Sequence, residues 1–358
     1  MPAPTSRTPQ PPARFRVALK PAISCLDSLM LLNSIPEVSG LGEWVTHTAE
    51  SLPPEIARMN RLVFQGLYFA LLPDGQWPDF PAYIADLAAR DPEALRDRLL
   101  SAITRRGGEQ PGEWGPLLAS VGAYLAYLRE HFPDATIDED IETEVHRLLN
   151  HPDELRHVIV AHLQYMWGRY MEPEWRRNEP LLRESVAALA RVPLRGLSAM
   201  DAVYAITGQR LMGEREKILG GAREIIFVPS AHKGPYLDTF VHGDLMWLIF
   251  GARLPESEAD HASVLHRSDL LVRLSALTDD TRLSMLALLS QHDELCSPDI
   301  MAQLRLTQSA TSRHLRQLGA AGYVVERRRE GAKCYSINRA RIAETFRALD
   351  RFLGNPAS

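Results

Sequence analysis

One stretch near the carboxyl end of the chain carries side chains of the kinds that bind nucleic acid. A helical pattern from Gln308 to Ala321 begins after a capping threonine, Thr307, and closes at Gly322. Leu315 and Leu318 mark its buried side. The opposite side carries amide, hydroxyl and guanidinium groups, on Gln308, Ser309, Ser312, Arg313 and Arg316. Because Gln and Arg make paired hydrogen bonds to base edges and short hydroxyls reach phosphates, we interpret this face as a DNA-reading surface.

A basic turn follows this helix. Two strand patterns, Tyr323–Val325 and Lys333–Ile337, flank a charged segment that contains glycine, which predicts a β-hairpin. Its cationic side chains are those of Arg327, Arg328, Arg329 and Lys333. Such a hairpin is typical of a DNA-binding wing that meets the phosphate backbone or the minor groove. Taken alone, the polar helix face or the basic turn is more often a plain solvated surface. Their occurrence together, in the order helices, tight turn and basic hairpin, is what favours a DNA-binding function.

Further helices must position the reading surface. Apolar periodicity predicts helices over Ser268–Leu277 and Asp280–Ser290, and a third that begins at Ser297-Pro298. The tight stretch Arg305–Thr307 joins this third helix to the reading helix, which makes a helix-turn-helix. A final helix, Arg341–Phe352, carries its apolar residues on one face, at Ile342, Phe346, Leu349 and Phe352.

Charge and cysteine usage narrow the class of protein. The chain has a net charge of −5, but the segment from Arg267 to the end holds 14 basic and 10 acidic side chains. Local positive charge of this kind suits a phosphate contact. No apolar run approaches the roughly 20 residues of a membrane span, so we expect a cytoplasmic protein with no membrane partner. The three cysteines, Cys25, Cys296 and Cys334, lie far apart, so we expect free thiols rather than a disulfide framework.

The motifs of this region resemble the ArsR family of winged-helix repressors. The residues that carry the resemblance are Asp280-Thr281-Arg282-Leu283, Ser312-Arg313-His314-Leu315 and Gly322-Tyr323-Val324. The resemblance covers about a quarter of the chain. It implies a homodimer that pairs through its terminal helices and reads a near-palindromic operator. It also implies that the reading residues are Gln308, Ser309, Ser312 and Arg313.

The chain departs from the pattern of metal-sensing ArsR members at two places. Metal-sensing members carry Cys-x-Cys where this chain has Cys296-Ser297-Pro298, and the terminal helix has no histidine. A soft-metal site needs about three or four ligands, so we expect no metal site and no cofactor. We interpret Cys296 as a packed residue, and His314 as a residue that packs or binds phosphate.

The predicted fold class is mainly α, with a carboxy-terminal winged helix-turn-helix and a larger, mostly helical amino-terminal domain that contains a small sheet. The sheet is predicted from the alternation at Arg14–Lys20 and from the apolar runs Glu224–Val228 and Leu245–Phe250. The expected organisation is a disordered tail at 1–13, the amino-terminal domain at 14–252, a linker at 253–266 and the winged helix-turn-helix at 267–354.

The amino-terminal domain contains no specific catalytic motif. It lacks a glycine-rich phosphate loop and a Gly-x-Ser-x-Gly elbow. His151 and His157 lie on different helix faces from His162, which we interpret as a satisfied core histidine rather than a metal ligand. The aromatic stretch Tyr165–Trp175 is either core or the lining of an apolar ligand pocket. The loop Pro229–Tyr236 could contact a ligand, a partner or solvent, and we favour solvent.

These observations predict a non-enzymatic, sequence-specific regulator that binds double-stranded DNA as a homodimer and represses transcription. Its amino-terminal domain would support dimerisation or sense a small-molecule effector. Two alternatives stay open: an enzyme whose winged helix only docks nucleic acid, and an interaction scaffold that binds another protein. The enzyme requires a convergent acid/base pair in the first domain, and the spacing of its residues offers no candidate pair.

Overall fold

The structure is a computed structural model, and it describes residues 13–34, 41–107, 114–132, 137–209, 211, 214–234, 236–252, 267–329 and 332–354. The expected linker and all but the last residue of the expected tail lie outside the described residues. The chain divides into two compact units. We call Lys20–Ile35 with Glu43–Asn178 the helical unit, and Met1–Leu19, Pro36–Gly42 and Glu179–Ser358 the mixed unit.

The helical unit consists of helices whose apolar faces pack on one another. They are α1 (Pro21–Leu31), α2 (Glu43–Ser51), α3 (Pro54–Arg61), α4 (Phe80–Ala89), α5 (Pro92–Gly107), α6 (Gly115–Ala119), α7 (Val121–His131), α8 (Glu139–Leu149), α9 (Pro152–Met166) and the start of α10 (Glu172–Leu189). Side chains cap four of them, since Asp79, Asp91, Ser120 and Asp138 accept backbone N–H bonds at the first turns of α4, α5, α7 and α8. Within the described ranges, no helix is long and apolar enough to cross a membrane.

The aromatic stretch at the end of α9 is only partly buried. Met166 and Met171 are buried, and the ring of Trp167 lies 5.6 Å from that of Phe80. Trp167, Tyr170 and Trp175 are half-buried, and Tyr165 is 43% exposed. Of the two alternatives left open for this stretch, the two buried methionines favour the core.

A buried hydrogen-bond network joins three helices of this unit. The side-chain amide of Asn60 on α3 donates to Leu29 O (3.2 Å) on α1 and to Asn33 Oδ1 (2.9 Å). His162 Nε2 on α9 lies 3.0 Å from Asn60 Oδ1. Because an amide oxygen can only accept a hydrogen bond, Nε2 of the histidine is the donor. Burial lowers the pKa of His162 to about 4. The interpretation of His162 as a satisfied core histidine is therefore confirmed.

The His162 network predicts acid sensitivity of the helical unit. His162 is neutral in the folded state down to about pH 4, whereas in the unfolded chain it binds a proton below about pH 6.5. Stability from this residue is therefore complete above pH 6.5 and is lost as the pH falls towards 4. We expect a loss of about 3 kcal/mol in the free energy of unfolding across that window. Urea unfolding followed by tryptophan fluorescence measures it.

A substitution isolates the contribution of this histidine. His162→Gln keeps an N–H donor for Asn60 but cannot titrate, so its free energy of unfolding should change less between pH 7 and pH 4 than that of the natural protein. His157→Gln, at an exposed position of the same helix, should leave the pH dependence unchanged. The same slope in the natural protein and in His162→Gln would contradict this interpretation.

The mixed unit contains a four-stranded sheet in the order β1-β2-β4-β3. Its strands are β1 (Arg14–Val17), β2 (Glu224–Ser230), β3 (Asp238–His242) and β4 (Leu245–Gly251). β2 pairs in parallel with both β1 and β4, and β3 pairs antiparallel to β4. The predicted sheet of the amino-terminal strand and the two apolar runs is confirmed, with β1 paired to β2 and β2 to β4, and β3 is an additional strand. Helices α11 (Ala199–Thr207) and α12 (Glu214–Gly221) cover the sheet, with Val203, Ile206 and Leu219 in its core.

The loop after β2 is buried, contrary to the prediction that it contacts solvent. His232 and Lys233 are only 5% and 3% exposed. Lys233 Nζ lies 3.1 Å from Asp238 Oδ2, and Arg215 Nη2 lies 3.3 Å from the other oxygen of the same carboxylate. A buried ammonium ion requires such a partner, so this ion pair is the physical reason the loop can fold inward.

The carboxy-terminal part of the mixed unit contains the predicted order of helices and hairpin. Its elements are α13 (Arg267–Ala276), α14 (Asp280–Leu289), β5 (Leu295–Cys296), α15 (Ser297–Leu304), α16 (Gln308–Ala320), β6 (Val324–Arg329), β7 (Ala332–Ile337) and α17 (Arg339–Phe352). The strands form a second sheet in the order β5-β7-β6. The described chain is thus mainly helical with two small sheets, which confirms the predicted fold class.

Candidate nucleic-acid interface

A left-handed residue makes the turn between α15 and α16. Arg305 ends α15 with φ 54° and ψ 42°, a conformation that non-glycine residues seldom adopt. The next backbone N–H, of Leu306, donates to Met301 O at 3.1 Å. Thr307 then caps α16, with its Oγ1 3.3 Å from Ala310 N. The chain therefore reverses within three residues, which is the tight turn that the sequence predicts.

The two sides of α16 differ sharply in chemistry. Its buried residues are Thr311, His314, Leu315, Gln317 and Leu318. Its exposed polar residues are Gln308, Ser309, Ser312, Arg313 and Arg316, all of them predicted for the reading surface. The helix contains no acidic residue, and its amino terminus carries a partial positive charge from the helix dipole. This face therefore offers hydrogen-bond donors and positive charge to solvent.

A buried arginine holds α16 in place. The Arg282 guanidinium on α14 donates to Ser275 O and Ala276 O, both at 2.8 Å, at the end of α13. It also donates to Gln317 Oε1 on the inner side of α16. Asp279 caps α14 through Arg282 N at 2.9 Å. One side chain thus connects three helices, and the geometry of the reading surface depends on it.

Arg282→Lys should loosen the helix-turn-helix. A lysine ammonium cannot reach three acceptors on two helices in the planar geometry of a guanidinium, so at least one buried acceptor loses its donor. We expect a loss of about 2 kcal/mol, which corresponds to about thirtyfold faster amide hydrogen exchange in α14 and α16. Exchange measured by peptide mass spectrometry tests this.

Arg347→Lys, at an exposed position of α17, is the matched control and should leave exchange in both helices unchanged. If Arg282→Lys exchanged at the natural rate in α16, the buried guanidinium would have no role in positioning that helix.

The hairpin that follows α16 carries the predicted basic side chains. Arg327 lies opposite Cys334, and Arg329 lies opposite Ala332. The side chains of Arg327, Arg329 and Lys333 are exposed, and Lys333 Nζ lies 3.5 Å from Glu326 Oε1. The side chain of Arg328 lies outside the described residues. The described basic groups therefore face solvent along both strands of the hairpin.

Tyr323 fixes the base of this hairpin. Its ring is fully buried, and its hydroxyl donates to Arg273 O at 2.9 Å on α13. The same hydroxyl lies 3.2 Å from Thr345 Oγ1 on α17. The first and last helices of the domain are thus tied to the residue that starts the hairpin, a role that the sequence analysis missed.

His314 packs inside the domain. It is 7% exposed, and its Nδ1 lies 3.5 Å from Asp279 Oδ1. Burial lowers its pKa, so the neutral ring is favoured. Of the two roles left open for His314, the structure supports packing.

The two carboxy-terminal cysteines are bonded to each other. Cys296 on β5 lies directly opposite Cys334 on β7, and the two residues form a disulfide with Cα atoms 3.7 Å apart. The expectation of free thiols is wrong for this pair, as is the interpretation of Cys296 as simply packed. The physical reason is the two-residue strand β5, which brings together residues 38 positions apart. Cys25 is free and buried, and its burial raises its pKa.

Among the described residues, no group of three or more His, Cys, Asp and Glu side chains is arranged to hold a metal ion.

The helices, the tight turn and the basic hairpin together define a winged helix-turn-helix. In agreement with this fold, residues 279–325 match the family described as "Bacterial regulatory protein, arsR family". The chain thus contains an ArsR-family domain at its carboxyl end, which confirms the family resemblance for that part.

Three similar proteins each match less than a third of the chain. The arsenic resistance transcriptional regulator ArsR1 of Pseudomonas putida is 43% identical over 53 residues, which are 15% of this chain and 41% of that protein. Among solved structures, NolR from Sinorhizobium fredii is 27% identical, with 29% of this chain and 100% of that chain covered and a TM-score of 0.21. The AntR antimony-specific transcriptional repressor is 19% identical, with 28% and 96% covered and a TM-score of 0.21.

Proposed function

We propose that this protein is a transcriptional repressor that binds double-stranded DNA sequence-specifically as a homodimer. The observation that carries the proposal is the division of α16 into a side that packs on the domain core and an exposed side of amide, hydroxyl and guanidinium groups. That division occurs within an ArsR-family domain, and a relative of this domain is named as a transcriptional regulator. We propose no enzymatic role for this protein.

In the proposed complex, α16 lies in the major groove, which is wide enough for a helix. Gln308 and Arg313 read base edges: the amide of Gln308 offers a donor and an acceptor that match adenine, and the guanidinium of Arg313 offers two donors that match the two acceptors of guanine. The hydroxyl groups of Thr307, Ser309 and Ser312 contact phosphates together with Arg316. The wing, with Arg327, Arg328, Arg329 and Lys333, meets the neighbouring backbone or minor groove.

Arg313→Ala should weaken binding to the proper DNA site. Loss of one paired base contact costs about 1–3 kcal/mol, so we expect an affinity about tenfold lower or worse. Fluorescence anisotropy measures it, with a labelled duplex taken from immediately upstream of the gene for this protein. Binding should also weaken steeply with added salt, because cations are released from the phosphates.

Arg176→Ala, at an exposed position of α10 in the helical unit, is the matched control and should bind like the natural protein. An Arg313→Ala protein that folds and binds the duplex as tightly as the natural protein would refute the proposed reading surface. Weak salt dependence would instead favour the interaction scaffold.

The proposed homodimer rests on an uncovered apolar face of α17. Phe346, Phe352 and Leu353 are 52%, 55% and 71% exposed. Large aromatic side chains exposed together are unfavourable in water and typical of a face that another surface covers. A two-fold dimer would place two copies of α16 on successive major grooves, about one helical turn apart.

The double change Phe346→Glu and Phe352→Glu should dissociate this dimer, because it places four like charges in a contact that was apolar. Sedimentation velocity at micromolar concentration should then show a monomer in place of a dimer. Leu181→Glu, which changes an exposed leucine of α10, should leave the dimer intact. A stable dimer of the double variant would refute pairing through α17.

We further propose that residues 14–252 support dimerisation or receive a signal, and that the protein acts in the cytoplasm. A cleft of about 730 Å³ in the mixed unit supports signal input. Tyr204 and Glu216 line it together with Val325, Arg341 and Arg347. A small-molecule effector in this cleft would contact both α17 and the first strand of the wing, so it could bind the DNA-competent and incompetent states with different affinity.

A further inference from the structure

The disulfide lies where the wing meets the helix-turn-helix. Cys296 is the last residue of β5 and the residue that precedes α15. Cys334 lies inside β7, between Cys296 on one neighbouring strand and Arg327 on the other. The bond therefore ties the first helix of the helix-turn-helix to the strand that carries one side of the wing.

The two cysteines differ in exposure. Cys334 is fully buried, whereas Cys296 is partly exposed. We therefore take Cys296 as the cysteine at which a small thiol or disulfide reacts, because the rate of thiol–disulfide exchange depends on access to the attacked sulfur.

The setting favours a reversible bond. If the protein binds chromosomal DNA, as proposed above, it works in a compartment where glutathione and thioredoxin keep most thiols reduced. Disulfides that form in such a compartment are usually transient and serve catalysis or redox sensing. The reversibility of the bond thus rests on the proposed function.

We propose that Cys296 and Cys334 form a reversible thiol–disulfide switch that holds the wing against α15 when oxidised and releases it when reduced. Oxidation by a small disulfide such as glutathione disulfide proceeds in two exchanges. The Cys296 thiolate attacks the small disulfide and expels one thiolate, and the Cys334 thiolate then attacks Cys296 Sγ and expels the second. Two protein thiols and one small disulfide become one protein disulfide and two small thiols.

The mechanical effect follows from sulfur size and from the shortness of β5. Bonded sulfur atoms lie about 2.05 Å apart, whereas two unbonded thiols keep a van der Waals separation of about 3.5 Å or more. β5 is only two residues long, so few backbone hydrogen bonds oppose a shift between it and β7. Reduction therefore lets the strand that carries Lys333 move, and with it the basic groups of the wing.

The oxidised protein should bind DNA more tightly. A wing that is already fixed relative to α16 loses less conformational freedom when it meets the backbone than a wing that is free to move. We expect about fivefold or greater tightening of binding on oxidation.

The test compares the full chain after treatment with glutathione disulfide and after treatment with dithiothreitol. Peptide mass spectrometry should find a cross-link between Cys296 and Cys334 that dithiothreitol removes. Amide hydrogen exchange in β6 and β7 should be slower in the oxidised form. Anisotropy with the upstream duplex should show the difference in affinity.

Variants separate the pair from other thiols. Cys296→Ser, at the partly exposed position, should bind DNA like the reduced natural protein under both treatments. Cys25→Ser, in the helical unit, should respond like the natural protein. Because Cys334 is fully buried, Cys334→Ser is only a supporting variant, and the reduced natural protein provides the same comparison without a substitution.

Two results would overturn the switch. One is that no cross-link forms with glutathione disulfide. The other is a cross-link that changes neither hydrogen exchange in the wing nor DNA affinity. A wing whose exchange responds to oxidation while neither form binds the upstream duplex would instead refute the proposed DNA-binding function and leave the switch standing.

Discussion

The buried guanidinium of Arg282 is the contact on which the carboxy-terminal domain depends most. A charge in the interior is costly unless every donor meets an acceptor, and Arg282 meets backbone carbonyls of α13 and the side chain of Gln317 on α16. Those acceptors exist only when the three helices are correctly placed. The arginine therefore selects one arrangement of α13, α14 and α16, and that arrangement sends the polar side of α16 to solvent.

Tyr323 extends the same constraint to the wing. Its hydroxyl joins the end of α13 to α17, and the residue itself begins the hairpin. Cys296 and Cys334 add a third connection, between the hairpin and the start of α15. In this account α16 is held by polar contacts that do not change, whereas the wing is held partly by a bond that chemistry can make or break. Recognition and regulation would thus reside in neighbouring parts of one small domain.

Much of this domain could be predicted from the sequence because its signals are local. The cap at Thr307, the leucines of α16 and the exposed polar residues between them lie within one helix, where the period of 3.6 residues alone sorts buried from exposed positions. The apolar runs that begin at Glu224 and Leu245 and predict β2 and β4 are equally local signals. The apolar stripe of α17 was also predicted, although periodicity cannot show that Phe346 and Phe352 remain uncovered in a single chain.

What could not be predicted depends on contacts between distant residues. β5 has two residues and no periodicity, so its pairing with β7, and hence the disulfide, leaves no pattern in the sequence. The burial of Lys233 depends on its ion pair with Asp238, which Arg215 also contacts. The same loop approaches the end of β4 so closely that a Cβ at Gly251 would lie 2.2 Å from Gly234 O. The role of Arg282 likewise depends on acceptors contributed by two other helices. For the disulfide, the Lys233 ion pair and the Arg282 hydrogen bonds alike, the partner residues can be identified only once the folded structure is known.

Selection of bound duplexes from a randomised DNA library, with the full chain as bait, tests the central claim most directly. The account predicts enrichment of an inverted repeat whose half-sites lie about one helical turn apart, and loss of base preference within each half-site when Arg313→Ala is the bait. A library that shows no enrichment over a protein-free control, or the same preferred sequence for both proteins, would contradict it.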